Sequence, residues 1–218
     1  MTAILFSEMA PEAAWEENFN TWYDTDHIPV RMMIEGFEGA QRYRAAQGDN
    51  YLVVYDLVSL DVLKGPEYDK VKTDPTDQTK WMLANVRNFT RYLGNEIGRH
   101  GFTCGNAIAA PMVFATMFDV PTEHLAAFDA WMTDDHIPML GKGAEWLGAR
   151  RFELTVAEPR PFNRLTIHYL SSSEWLESDA RKAARGTEWR ARMAAEHEWF
   201  NHPQIGTFHC HGKRFGPA

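Results

Sequence analysis

The chain has 218 residues, enough for one large domain or two of about 100 residues, and its 44% hydrophobic and 24% charged residues exclude a disordered or fibrous polymer. A formal net charge of −8 argues against phosphate-backbone binding, which needs clustered Lys and Arg, so nucleic acid is not an expected partner. The N-terminus has no basic leader pattern, no window approaches the ~20 apolar residues of a membrane span, and Cys104 and Cys210 are too few for a disulfide framework, so a soluble cytoplasmic protein with no membrane partner is expected.

Ala3–Phe6 is an apolar run that predicts a strand, and a proline and a helical pattern follow it. On that helix Phe19, Trp22, Tyr23 and Asp26 share a stripe at about 100° per residue. His27 lies one turn beyond Tyr23, so the two side chains can face the same space. Pro29 disfavours α geometry at Ile28 and predicts a helix end at or near His27. Two strands are predicted at Glu38–Arg44 and Tyr51–Leu57 around the turn signal Gly48-Asp49-Asn50, then a helix near Pro66–Thr73 and a last strand near Asn88–Leu93.

The order then begins again with a strand at Met112–Phe118. Phe128, Trp131, Asp135, His136, Ile137 and Pro138 repeat Phe19, Trp22, Asp26, His27, Ile28 and Pro29 at a constant offset of 109, from 27 to 136 for the histidines. The register runs on without a gap through Gly39-Ala40-Gln41-Arg42-Tyr43 and Gly148-Ala149-Arg150-Arg151-Phe152. Further along, Thr79-Lys80-Trp81 resembles Thr187-Glu188-Trp189 at an offset of 108. Strands at Ala149–Val156 and Arg164–Leu170, one helix over Ser173–His197 and a strand at Gly206–His211 complete the second half. Each half has the order β-α-β-β-α-β, so an α+β fold of two ferredoxin-like units, residues 1–104 and 105–218, is expected. One such unit leaves a sheet face needing cover, and packing the two sheet to sheet would supply it.

This pattern resembles the dimeric α+β barrel superfamily in a fused tandem form. The resemblance is strongest to members with a Trp-Tyr-Asp-x-x-His-Ile-Pro segment on the first helix, carried here by residues 22–29. It implies the fold and a range of activities, among them cofactor-free monooxygenases, cyclases, isomerases, lyases, haem enzymes and plain binding proteins, so fold alone does not choose the reaction.

The duplicated segment supplies the candidate chemistry. Histidine suits proton transfer near neutral pH, so His27, helped by Tyr23, and its counterpart His136 are the candidate acid-base residues. A helix end at His27 would favour its protonated form and disfavour an ionised Asp26. Asp26 would then need a partner, and Arg42 on the next strand is the expected one, with Asp135 and Arg151 repeating the pair. Trp22, Asp26, Arg42, Tyr43, Trp131, Asp135, Arg151 and His168 are the candidate substrate-contacting residues. Tyr23 becomes Met132 and Tyr43 becomes Phe152 in the second half, which makes the first half the more reactive-looking one. Tyr51, Tyr55, Trp81 and Tyr92 read as core packing, and so does the Met32-Met33 pair.

His209-x-His211 has a spacing that metal sites use, but no acidic or cysteine ligand is fixed near it, and no metal is expected. Phosphate loops, nucleophile elbows, zinc-protease motifs and dinucleotide fingerprints are absent from the sequence, so no cofactor is expected. The expected function is a cofactor-independent lyase, isomerase or cyclase acting on a small aromatic or polyketide-like hydrophobic molecule, in a chain able to form a homodimer. A cofactor-free monooxygenase and a non-catalytic small-molecule-binding protein are the alternatives.

Overall fold

The computed structural model describes residues 2–101 and 109–216. The expected boundary between 104 and 105, and Cys104, lie outside them. By contacts the chain divides into a first unit of Met1–Glu96, Thr155–Pro159 and Cys210–Ala218, and a second of Ile97–Leu154 and Arg160–His209.

In the first unit β1 (Ala3–Met9), β2 (Phe37–Ala45), β3 (Tyr51–Leu57) and the start of β4 (Arg91–Gly101) form an antiparallel sheet in the order β4-β1-β3-β2. β1 and β3 are buried along their whole lengths, including Ser7, Glu8 and Asp56, and the apolar stretches Ala3–Phe6 and Tyr51–Tyr55 within them show no alternation. Helices α1 (Glu16–Trp22), α2 (Ile28–Met32), α3 (Pro66–Thr73) and α4 (Asp77–Asn85) belong to this unit. Phe19, Trp22, Tyr23, Ile28, Met32, Tyr68 and Met82 from the helical segments join Ala3, Leu5 and Met9 of β1 and the odd-numbered residues of β3 in one core. The second unit repeats the plan with β5 (Met112–Phe118), the first part of β6 (Trp146–Glu158), β7 (Arg164–Leu170) and the first part of β8 (Gln204–Phe215) in the order β8-β5-β7-β6. Its helices are α5 (Leu125–Trp131), α6 (Ile137–Leu140), α7 (Asp179–Arg185) and α8 (Glu188–Glu196). Among the described residues the hydrogen-bonded strand order is β1-β3-β2-β8-β5-β7-β6-β4, that of a closed barrel. Among the described residues no helix is long and apolar enough to cross a membrane.

Three expectations are corrected here. Ser173–His197 is not one helix: a 3-10 turn at Ser173–Glu177 precedes α7, and Ser178 and Thr187 each cap a new helix by accepting a backbone N–H. The first half likewise has two helices where one was expected, because Thr76 caps α4 by accepting the Thr79 N–H at 3.1 Å. Thr187 therefore corresponds to Thr76, the other N-cap, and not to Thr79.

The third correction concerns the helix end at His27. The chain continues into α2 through a π-turn, Tyr23–His27, closed by the Ile28 N–H donating to the Tyr23 carbonyl. The second unit repeats it at Met132–His136, where the Ile137 N–H donates to the Met132 carbonyl. Each proline then sits in the first turn of the next helix, where its missing N–H and fixed φ are tolerated.

Candidate active site

The π-turn determines which side chains meet. A five-residue step brings i and i+5 together, so the His27 ring lies 4.3 Å from the Trp22 ring and 4.8 Å from the Tyr23 ring. In the second unit the His136 ring stacks on Trp131 at 4.4 Å.

In the first unit a cavity of about 230 Å³ opens beside this cluster, lined by residues that include Leu5, Met9, Tyr23, His27, Tyr55 and Tyr68, with Leu83 and Phe89 partly exposed at its rim. Arg31, Lys72 and Arg91 also line it, and no carboxylate does. The Tyr23 hydroxyl donates only to the Met9 sulfur, at 3.4 Å, and burial pushes its pKa up to about 12 against the pull of Arg42 and Arg31. Burial, then Arg31 and Arg42, hold His27 well below the ordinary imidazole range, so it is neutral at pH 7. The expectation of a protonated His27 is therefore reversed: burial outweighs any helix-end field, and no helix ends there. The His27 Nδ1 and the Tyr55 hydroxyl are buried without a hydrogen-bond partner. Two orphaned polar atoms beside one apolar cavity mark a place for a ligand's polar groups.

The Asp26–Arg42 and Asp135–Arg151 pairs do not form. Arg42 donates to Asp24 Oδ1 at 2.9 Å and to Asn20, and its guanidinium lies 4.6 Å from the Tyr23 ring centre. Arg151 donates to Asp129 and, at 2.8 Å, to Thr133. The clamp is thus repeated, with the carboxylate moved by one turn: Asn20 and Asp24 in one half, Asp129 and Thr133 in the other. Asp26 instead accepts from the Thr76 hydroxyl at 3.1 Å, and Asp135 from the Thr187 hydroxyl at 2.7 Å, each joining its π-turn to the cap of the last helix. A π-turn rotates residues away from the 100° spacing, which is why the expected stripe named the wrong aspartates.

The remaining candidates separate cleanly. Trp22 is buried behind the cavity and its Nε1 donates to Thr79 Oγ1 at 2.9 Å. Tyr43 is buried one residue along β2 from Arg42, hence on the opposite face of the strand. Asp26, Arg42, Tyr43, Asp135 and Arg151 do not line the cavity of their own unit. Met32 fills the core, but Met33 is 71% exposed, and Trp81 is 47% exposed, so neither of these two is core packing. His209 and Cys210 on β8 are exposed, and His211 is half-buried.

Trp131, His136 and His168 meet at a second cavity of about 360 Å³, lined also by Phe114, Phe118, Met132, Trp175, Phe200 and three arginines, Arg181, Arg185 and Arg190. Here too no carboxylate lines the wall. Trp146 Nε1 donates to His168 Nδ1 at 3.2 Å, which leaves the proton of the neutral ring on Nε2. Burial lowers His168 to about 3 and His136 to about 4. Register makes the two cavities equivalent: Tyr55 pairs with Leu5 and Ala40, and His168 pairs with Phe114 and Ala149. His168 therefore stands where Tyr55 does. The cationic linings and the role of Tyr55 were not anticipated from sequence. The shared third and seventh positions of α3 and α7, Tyr68 and Lys72 against Arg181 and Arg185, were the available signal, hidden by loops of unequal length.

No protein-family model matches the chain, and no curated protein matches it in sequence. Solved structures do match in fold. An anthrone oxidase-like protein superimposes with a TM-score of 0.64 over 99% of this chain and 93% of its own, at 12% identity. A candidate monooxygenase from Fusobacterium nucleatum gives 0.62 over 99% and 94%, at 8% identity. Chlorite dismutase from Candidatus Nitrospira defluvii gives 0.53 over 95% and 90%, at 10% identity. At these identities the likeness is one of fold alone.

Proposed function

We propose that the first unit's cavity is the active site of an enzyme that removes a proton from a small aromatic or polyketide-like molecule without an organic cofactor. The observation that carries this reading is the buried, neutral His27 with an unpartnered Nδ1, facing a cavity whose only charged lining is cationic. A neutral imidazole can accept a proton from a phenol, or from carbon next to a carbonyl. The anion so formed is then stabilised by Arg31, Lys72 and Arg91, which compete with no carboxylate in the wall. Tyr23, held neutral, orients the histidine and donates rather than accepts. A volume of about 230 Å³ lies below the roughly 300–1,000 Å³ of drug-sized sites, so the substrate is small.

Proton removal alone serves a lyase, isomerase or cyclase. A second reading, a cofactor-free oxygenase in which the electron-rich anion reacts with dissolved oxygen, is favoured by the names of two fold neighbours, anthrone oxidase-like protein and candidate monooxygenase. The repeated π-turns and clamps support a fused tandem of ferredoxin-like units with their boundary near 104–105, working in the cytoplasm, with homodimer formation open to its remaining faces.

The test is turnover of a panel of phenols and anthrone-type ketones, followed by ultraviolet absorption and oxygen consumption, in the native chain, H27A and H136A. Turnover that survives in H27A removes the acid-base role. Oxygen uptake matched to turnover selects the oxygenase, and turnover under argon selects the lyase or isomerase. An intense visible absorption band in the purified protein would overturn the cofactor-free reading.

A further inference from the structure

We infer that the second unit's cavity is a separate binding site for a small aromatic carboxylate. Position by position it is the counterpart of the first cavity, with two wall hydroxyls replaced by guanidinium groups. The third residue of the helix at Pro66–Thr73 is Tyr68, and the third of the helix at Asp179–Arg185 is Arg181. The third residue after the threonine cap is Thr79 in one unit and Arg190 in the other. Lys72 becomes Arg185, so the wall gathers three guanidinium groups.

The exchange at Thr79 has a direct consequence. Thr79 Oγ1 accepts the Trp22 Nε1 hydrogen in the first unit. Arg190 has donors and no acceptor, and the Trp131 Nε1 is left buried without a partner. His136 Nδ1 is orphaned beside it. Arg181 donates to the Leu176 carbonyl at 2.5 Å, Arg190 reaches the Arg185 carbonyl at 3.4 Å, and among the described residues none of the three arginines is in an ion pair. Burial first, then Arg185, hold Arg181 and Arg190 below the ordinary guanidinium range, and Glu177 opposes this at Arg181.

A cavity with an unmet indole donor and three guanidinium groups needs acceptor oxygens carrying negative charge, and a planar carboxylate matches guanidinium forks. Its remaining wall is aromatic: Phe114, Phe118, Trp175 and Phe200. A volume of about 360 Å³ accommodates a one- or two-ring ligand.

The experiment titrates the full chain with salicylate, the neutral salicylamide and inorganic phosphate, by calorimetry and by quenching of tryptophan fluorescence, in native protein, R181Q, R185Q and R190Q. Salicylate is expected to bind, salicylamide at least 10-fold more weakly, and R181Q and R190Q each to weaken salicylate roughly 10-fold, the loss of one charge-assisted hydrogen bond. R185Q changes an exposed side chain, so its expected severalfold loss keeps the test open if the other variants misfold. Equal binding of salicylamide, equal binding of phosphate, or salicylate affinity unchanged in the arginine variants would each overturn the site. The readout is affinity, so it stands or falls independently of turnover at His27.

Discussion

The two units place the same π-turn, the same histidine and an equivalent arginine clamp beside cavities that are both cationic but differ in their other polar groups. In the first, the positions around His27 are Tyr23, Tyr55, Tyr68 and Thr79; in the second, the matching positions around His136 are Met132, His168, Arg181 and Arg190. Duplication kept what holds the helix to the sheet and let the cavity wall diverge. The clamp arginines and the capped aspartates repeated in both halves are therefore scaffold, and the two cavities differ in the wall residues that are not repeated.

The largest effect that separates the units is expected from the histidines. H27A should lower turnover by roughly 10²–10⁴ with substrate affinity kept within a few fold, and H136A should change turnover by less than about 10-fold. Steady-state kinetics of both variants measures this. Equal losses would mean that both cavities carry the chemistry, and the contrast between them would fail.

The clamp should respond more strongly in the first unit. Truncating the buried Arg42 to Ala leaves Asp24 without its partner, whereas Asp129 keeps Arg164 at 2.9 Å when Arg151 is truncated. Breaking a buried pair destabilises by about 3–5 kcal/mol; about 2–3 is expected for R42A because Asp24 is about a third exposed, and less for R151A. Urea unfolding of R42A and R151A measures it. D26N, at a carboxylate that accepts only from the hydroxyls of Thr76 and, at 3.4 Å, Thr79, should lose about 1 kcal/mol or less. A larger loss in D26N than in R42A would restore the pairing that the sequence implied.

Acid should separate the units again. His168 and His136, with folded pKa values of about 3 and about 4, and His27, also lowered, all lie below the ordinary 6.5. Each stabilises fully above pH 6.5, and each loses that contribution as pH falls from 6.5 toward its folded value, by up to about 1.4 kcal/mol per pH unit. The second unit holds two such groups that contact one cavity, and the first holds one. Hydrogen exchange at pH 5 should show the second unit opening first. Replacing His168 by Gln should flatten its share of the pH dependence.

How much of this was legible in the sequence follows from which interactions are periodic. The strands Tyr51–Leu57, Met112–Phe118 and Arg164–Leu170 were readable to the residue because mostly buried strands are rich in apolar and β-branched residues and are bounded by turn signals. The Trp, Asp and His of the repeat were legible as a motif, and Tyr23 and His27 as neighbours. Their partners were not, because a π-turn inserts one residue into the helical count and no residue type announces it. The cationic walls were hidden for a different reason. Lys72, Arg181, Arg185 and Arg190 sit on short helices whose mean hydropathy is that of any exposed helix, and only the tertiary fold turns them toward a cavity.

The smallest effect is the sharpest probe of the first cavity. Tyr55 was expected to be core packing, yet its hydroxyl is buried with no partner, and burial raises its pKa strongly, so it remains a neutral phenol. An unsatisfied buried hydroxyl contributes nothing to folding that a hydrogen would not. Y55F should therefore leave stability unchanged or raise it by less than about 1 kcal/mol. If a substrate supplies the missing partner, the same variant should raise KM several-fold while kcat changes little, since the lost contact is made equally in the ground and transition states. Its counterpart H168F removes a ring nitrogen that accepts from Trp146 Nε1, and that indole would be left unpaired. A stability loss of about 1–3 kcal/mol in H168F, beside none in Y55F, would mark one position of the repeat as structural in the second unit and ligand-facing in the first.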